Sequence, residues 1–212
     1  MKEQEGVIKY HLEHTQKPIS EKFSLCEINA WRTIFFRLGL IGQVPERYDN
    51  LGFGNISQRL DSQSGQFIIT GSQSGHIEHL SPEHYCLVVK ADTRKNRIES
   101  CGLYKPSSES LTHACIYAQD SSIQAIIHIH SPEIWNNTVL LGLPHISADI
   151  SYGTVEMAIA VEQLFQSGNL QQTSIFTMLG HKDGVVSFGR SMQEAALEMI
   201  KIFVQAIGIE RQ

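Results

Sequence analysis

Apolar residues recur along this chain with two different periods, and the switches between them set out its elements. Ile28, Trp31, Ile34, Phe35 and Leu38 fall at helical spacing behind Ser24-Leu25-Cys26-Glu27, a capping-box pattern. Gly39 and Gly42 help to end that helix. Short apolar alternations predict strands at Ile56–Leu60 and Phe67–Thr70, joined by a turn over 61–65, and another at Tyr85–Lys90. Leu111, Ala114, Cys115 and Ala118 form the stripe of a helix over Glu109–Gln119, which Ser107 or Ser108 can cap. A strand over Ala125–His130 follows, then a helix start at Ser131-Pro132-Glu133 and a helix over Thr154–Phe165. Strands at Ile175–Leu179 and Val185–Phe188 precede a second capping box, Ser191-Met192-Gln193-Glu194, which opens a last helix to about Ala206. Helices and strands interleave with no repeat and no linker between them. The pattern predicts a single α/β domain with helices packed on a sheet over 23–212, behind a polar, flexible N-terminal arm at 1–22.

Composition narrows the function classes. The 212 residues are 42% hydrophobic and 18% charged, the balance of a folded domain. A net charge of −5 argues against a nucleic-acid partner, which would need a basic footprint. A small anion remains possible, because backbone N–H groups can hold one locally. The four cysteines show no CxxC spacing and read as reduced thiols. No secretory apolar segment is seen, and no apolar run reaches the roughly 20 residues a membrane span needs. The expected setting is cytoplasmic, with no membrane partner.

The chemistry concentrates in His128-Ile129-His130. On a strand, both imidazoles face one side while Ile127 and Ile129 face the other, so the pair can chelate one ion. Upstream stands Pro106-Ser107-Ser108-Glu109, a carboxylate behind two hydroxyls. Downstream, Gly180-His181-Lys182-Asp183-Gly184 places a third imidazole in a turn. Three His and one Glu suit zinc and can leave a coordination position open.

These motifs occur in a fixed order with Gly54-Asn55-Ile56-Ser57 and Thr70-Gly71-Ser72-Gln73-Ser74-Gly75, and the chain from about Ser24 to Ala206 thereby resembles the class II aldolase/adducin family. The resemblance implies a three-layer α/β/α domain around a mostly antiparallel sheet. It also implies a homotetramer with the active site at the subunit interface. It implies Zn2+, or another divalent ion such as Mn2+, Fe2+ or Co2+, held by Glu109, His128, His130 and His181, with Glu109 also the catalytic base. A sugar phosphate would bind through Asn55, Ser74, Gly75, Ser107 and Ser108. The implied reaction is aldol cleavage of a small ketose phosphate through an enediolate. Epimerisation or dehydration on the same scaffold, or a non-catalytic adducin-like module, are the alternatives. The stretch between His130 and His181 lacks a clear aromatic hydroxyl to protonate the aldehyde oxygen, and Tyr152 is the nearest candidate. Asp183 would either orient His181 or shape its turn.

Overall fold

The computed structural model describes residues 5–20, 23–61 and 64–210. These form a three-layer α/β/α domain around one mixed sheet of nine strands. In chain order the strands are β1 (His11–Gln16), β2 (Asn55–Arg59), β3 (Phe67–Thr70), β4 (Tyr85–Asp92), β5 (Arg97–Gly102), β6 (Ala125–His130), β7 (His145–Ile146), β8 (Ile175–Met178) and β9 (Gly184–Gly189). Their spatial order is β1-β5-β4-β3-β2-β6-β9-β8-β7. The sheet is mostly antiparallel as expected, and the parallel pairs are the two outermost, β1 with β5 and β7 with β8.

The helices are α1 (Cys26–Arg37), α2 (Ser110–Gln119), α3 (Pro132–Asn136), α4 (Val155–Gln166) and α5 (Met192–Glu210). Side chains of α2 and α4 share one core with Phe67, Ile69, Ile126 and Phe176. Those of α1, α3 and α5 share the other with Ile56, Ile68, Ile127 and Ile129. Strand alternation therefore divides β6 between the layers, and His128 and His130 take the parity of Ile126, on the α2 side. No helix among the described residues is long and apolar enough to cross a membrane.

Three expectations are corrected. The segment read as a loose arm contains β1, which lies in register beside β5 from His11↔Arg97 to Gln16↔Gly102. Residues 1–4, 21 and 22 of that arm, and residues 62 and 63 of the β2–β3 turn, lie outside the described residues. Ser24 does not cap α1. Its N-cap is Leu25, with no side-chain hydrogen bond, so the helix starts on tertiary packing of Ile28 and Phe35 rather than on its cap. The N-cap of α2 is likewise Glu109 rather than a serine. Ser107 still serves that end, its Oγ accepting from the Glu109 N–H and its carbonyl from Ser110. Two caps follow the reading, Ser131 accepting from the Ile134 N–H and Ser191 from Glu194, while Thr154, read as the first residue of its helix, is the N-cap of α4 and accepts from Met157.

Candidate metal and anion site

β6 is central in the sheet, flanked by β2 and β9, and this fixes both of its histidines. His128 pairs with Asn55 on one side and Val186 on the other, and His130 pairs with Gly184. The two Nε2 atoms stand 3.2 Å apart. His128 Nδ1 lies 3.2 Å from the Val185 carbonyl, which fixes the proton on Nδ1 and leaves Nε2 with a lone pair. His181 arrives from the turn between β8 and β9, and the three imidazoles form a buried group whose ligand atoms all lie within 4.8 Å of one another. That turn is tightly held. Gly184 N–H donates to the His181 carbonyl, Leu179 N–H to Ile146 and His181 N–H to Met178.

Glu109 stands beside this group, 1% exposed, with Oε1 3.4 Å from His181 Nδ1. On the other ring nitrogen of His181, Nε2, lies a carboxylate the sequence did not point to: Glu5 Oε2, at 2.8 Å. Burial disfavours an ionised Glu109, but His181 and His128 outweigh it and hold the carboxyl down at about 2. Burial likewise would lower His181, yet Glu5 and Glu109 carry it up to about 10. Burial prevails at His128, lowered to about 4, and at His130, lowered well below 6.5.

The donor set suits a divalent cation. Three buried imidazoles with converging nitrogens and a nearby ionised carboxylate have the chemistry of a zinc-type site. His130 Nδ1 and both Glu109 oxygens have no hydrogen-bond partner, an arrangement that is costly without a further charge to organise it.

The pKa pattern yields a testable profile for the metal-free protein. His128, His130 and His113 (lowered by burial to about 3) keep their protons off while an unfolded chain would take them up below its ordinary 6.5. Their contributions are complete above that pH and are lost as the pH falls below it, that of His128 toward 4 and that of His113 toward 3. His181 acts oppositely: its contribution is complete below 6.5 and is lost as the pH rises toward 10. Melting temperature should therefore peak near neutral to slightly acid pH and fall on both sides. A steady rise from pH 5 to 9 would contradict the arrangement.

Next to the histidines, Asn55, Ser74, Gly75, Ser107 and Ser108 line one cavity, so the structure brings together all five residues expected to hold an anion. Asn55 Oδ1 is buried without a partner. Ser74 Oγ donates to the Gly71 carbonyl, which shapes the loop. At Gly75 a Cβ would collide with the Gly42 carbonyl, so only glycine lets the two segments approach. The same cavity is lined by Thr70, which opens the 70–75 motif, and by Arg32, which was not singled out in the sequence. Arg32 is 1% exposed, and its guanidinium donates to the carbonyls of Ser74, Gly75, Ile77 and Glu78. It was legible in principle, as a cation set inside the apolar stripe of α1 between Ile28 and Phe35.

Beyond His181 a second cavity of about 290 Å³ is lined by Glu5, Pro45, Glu46, Tyr48, Asp49, His181 and Lys182. The Tyr48 ring meets His130 edge-on at 4.7 Å, and its hydroxyl donates to Asp183 Oδ2 at 2.6 Å. Asp183 therefore braces Tyr48, and its hydrogen bond goes there rather than to His181. Tyr152 is fully buried, with its ring stacked on His181 at 4.4 Å and its hydroxyl accepting from the Val7 N–H. His113, one turn beyond Glu109 on α2, bonds Ser57 Oγ through Nδ1.

Residues 45–202 match the family model of the class II aldolase and adducin N-terminal domain. In solved structures the chain is similar to L-fuculose-1-phosphate aldolase from Thermus thermophilus, at 19% identity and TM-score 0.62, over 87% of this chain and 91% of that one. It is similar to a sugar-phosphate aldolase from Thermotoga maritima at 20% identity and TM-score 0.61, over 86% and 91%. It is also similar to YgbL from Escherichia coli, whose description leaves open aldolase, epimerase or decarboxylase, at 22% identity and TM-score 0.62, over 86% of each chain. Among curated proteins none matches the chain in sequence.

Proposed function

Since the chain belongs to the class II aldolase and adducin N-terminal domain family, we propose that it is a divalent-metal-dependent lyase that cleaves a small ketose phosphate. The observation that carries this reading is the buried group of His128, His130 and His181 with an ionised Glu109 beside it and, next door, a cavity lined by Asn55, Ser74, Gly75, Ser107 and Ser108. His128, His130 and His181 would hold the cation, with Zn2+ the first choice. When bound, it supplies Lewis acidity that stabilises negative charge developing on a carbonyl oxygen.

The chain's own residues divide the remaining work. Glu109 is held ionised; in the aldol direction it can take a proton from the carbon next to that carbonyl, and in cleavage its acid form gives that proton back to the same carbon after the carbon–carbon bond breaks, the hydroxyl proton of the departing half passing to solvent. Asn55, Ser107, Ser108 and the 71–75 loop would receive the phosphate, with the α2 N-terminus directed toward the same end. The 290 Å³ cavity beside His181 leaves room for the rest of the sugar. The same family likeness supports a cytoplasmic homotetramer, for which light scattering should return the mass of four chains.

One observation favours a second reading. Tyr152 is fully buried, its ring lies flat against His181 and its oxygen is held by the Val7 N–H, so it is not set to exchange a proton with the oxygen of the aldehyde half. An epimerase or dehydratase on the same site would share the proton abstraction without needing that donor. The test is proton–deuterium exchange at the hydroxymethyl carbon of dihydroxyacetone phosphate in D2O, with zinc-loaded protein. Exchange is the expected result. Its absence, with metal bound, would remove the dihydroxyacetone-phosphate lyase and favour another substrate class or a non-catalytic module.

A further inference from the structure

The residues ahead of β1 run across the site. Glu5 Oε2 lies 2.8 Å from His181 Nε2 and 3.7 Å from His130 Nε2, and the Glu5 side chain is 9% exposed. The next residues are held in place one after another. Gly6 has φ +71 and lies against the Gln73 side chain, where a Cβ would collide with the amide nitrogen. Val7 N–H donates to the Tyr152 hydroxyl, and the Lys9 ammonium sits 3.6 Å above the centre of the Tyr152 ring. Tyr10 donates to the Ser107 carbonyl at 2.7 Å, and His11 N–H to Asn96 at 2.7 Å, where β1 begins. Glu5 is thus delivered by an anchored strap rather than by a chance side-chain excursion.

We propose that Glu5 is a further protein ligand of the cation, completing a site built from His128, His130 and His181. Ligands 2.0–2.1 Å from one tetrahedral ion stand about 3.3–3.4 Å from each other. The Glu5–His181, His128–His130 and Glu5–His130 separations of 2.8, 3.2 and 3.7 Å scatter around that value. The two carboxylates then have different tasks on one imidazole. Glu5 faces Nε2, on the edge that His130 shares, and Glu109 faces Nδ1. An imidazole that gives one nitrogen to a cation keeps its proton on the other, where an acceptor orients it. Glu109 thereby remains outside the ligand set and available as a base. Because Glu5 also lines the anion cavity, it joins the two halves of the site through one side chain.

The inference rests on the reading of the three histidines as a cation site, and the experiment separates the two. Zn2+ and Co2+ affinities are measured by competition with a chromophoric chelator for the full-length wild-type chain, Glu5→Gln and His130→Ala, together with the visible spectrum of each Co2+ form. Glu5→Gln is expected to weaken both ions at least ~10-fold, the least that losing a partner of a zinc ligand costs. It should also change the intensity of the cobalt bands, which report coordination number. Glu5→Asp, one methylene shorter, should fall between. If the wild type binds ions tightly and His130→Ala does not, but Glu5→Gln equals or exceeds the wild type with an unchanged spectrum, Glu5 is not a ligand and only this inference falls. If the wild type itself takes up neither ion, the cation site falls, and this inference with it.

Discussion

Glu109→Gln is expected to reduce deuterium exchange into dihydroxyacetone phosphate by about 10²–10⁴-fold, the range a positioned general base supplies. The amide matches the carboxylate in shape but cannot accept a proton. At 1% exposure, no water can readily take its place. The site should otherwise survive. Glu109 faces His181 Nδ1 at 3.4 Å with no hydrogen bond between them, so the amide forfeits a charge contact but breaks no hydrogen bond. Zinc content measured on the variant should therefore match the wild type, and its melting temperature should move little. Loss of exchange with full metal content places Glu109 in the proton transfer. Loss of zinc as well would return it to the ligand set that the family likeness first suggested. Retention of most of the exchange would sink the base assignment, because no other carboxylate among the described residues lies within 4 Å of the histidines except Glu5.

Gly180→Ala should be among the most damaging single-methyl changes. A Cβ there would sit inside contact distance of the Ile150 carbonyl oxygen and 3.0 Å from that of Ala148. Both obstacles are backbone, so a rotamer change cannot relieve them. Either the 148–150 segment moves, taking the neighbouring Tyr152 off His181, or the turn carrying His181 moves. Overpacking of this kind costs about 1–3 kcal/mol, which for a chain of this size corresponds to a fall in melting temperature of about 2–12 °C. Zinc affinity should drop together with stability, since either route displaces an imidazole or its support. A variant with wild-type melting temperature and zinc affinity would show that the turn is free to adjust, contrary to its hydrogen bonds to Ile146 and Met178.

The central strands were legible because their burial is complete and periodic. Ala125–His130 is buried at every position and reads as an apolar run that ends in two imidazoles. The outer strands were not. His11–Gln16 is polar and at most half buried, Arg97–Gly102 offers only Ile98 and Cys101 as apolar positions, and their pairing joins segments more than 80 residues apart, which no local period can report. The candidate site divides in the same way. Asn55, Ser107, Ser108, Glu109, His128, His130 and His181 belong to short motifs whose residue types announce chemistry. Glu5 and Tyr48 gain their significance only from where distant segments meet. Tyr48, Asp49 and Asn50 all adopt positive φ, a backbone choice that three non-glycine residues conceal. The same non-locality hid the role of Asp183, whose partner lies 135 residues away.

Arg32 carries a consequence for anyone who would redesign specificity. The segment over 74–78, which lines the cavity proposed for the anion, is shaped by four of its own carbonyls gripped from a helix some forty residues earlier. Its form is therefore stored outside its own sequence. Transplanting residues 71–78 into another scaffold would move the letters without their template, and a graft that omits the arginine should yield a loop of the right composition and the wrong shape.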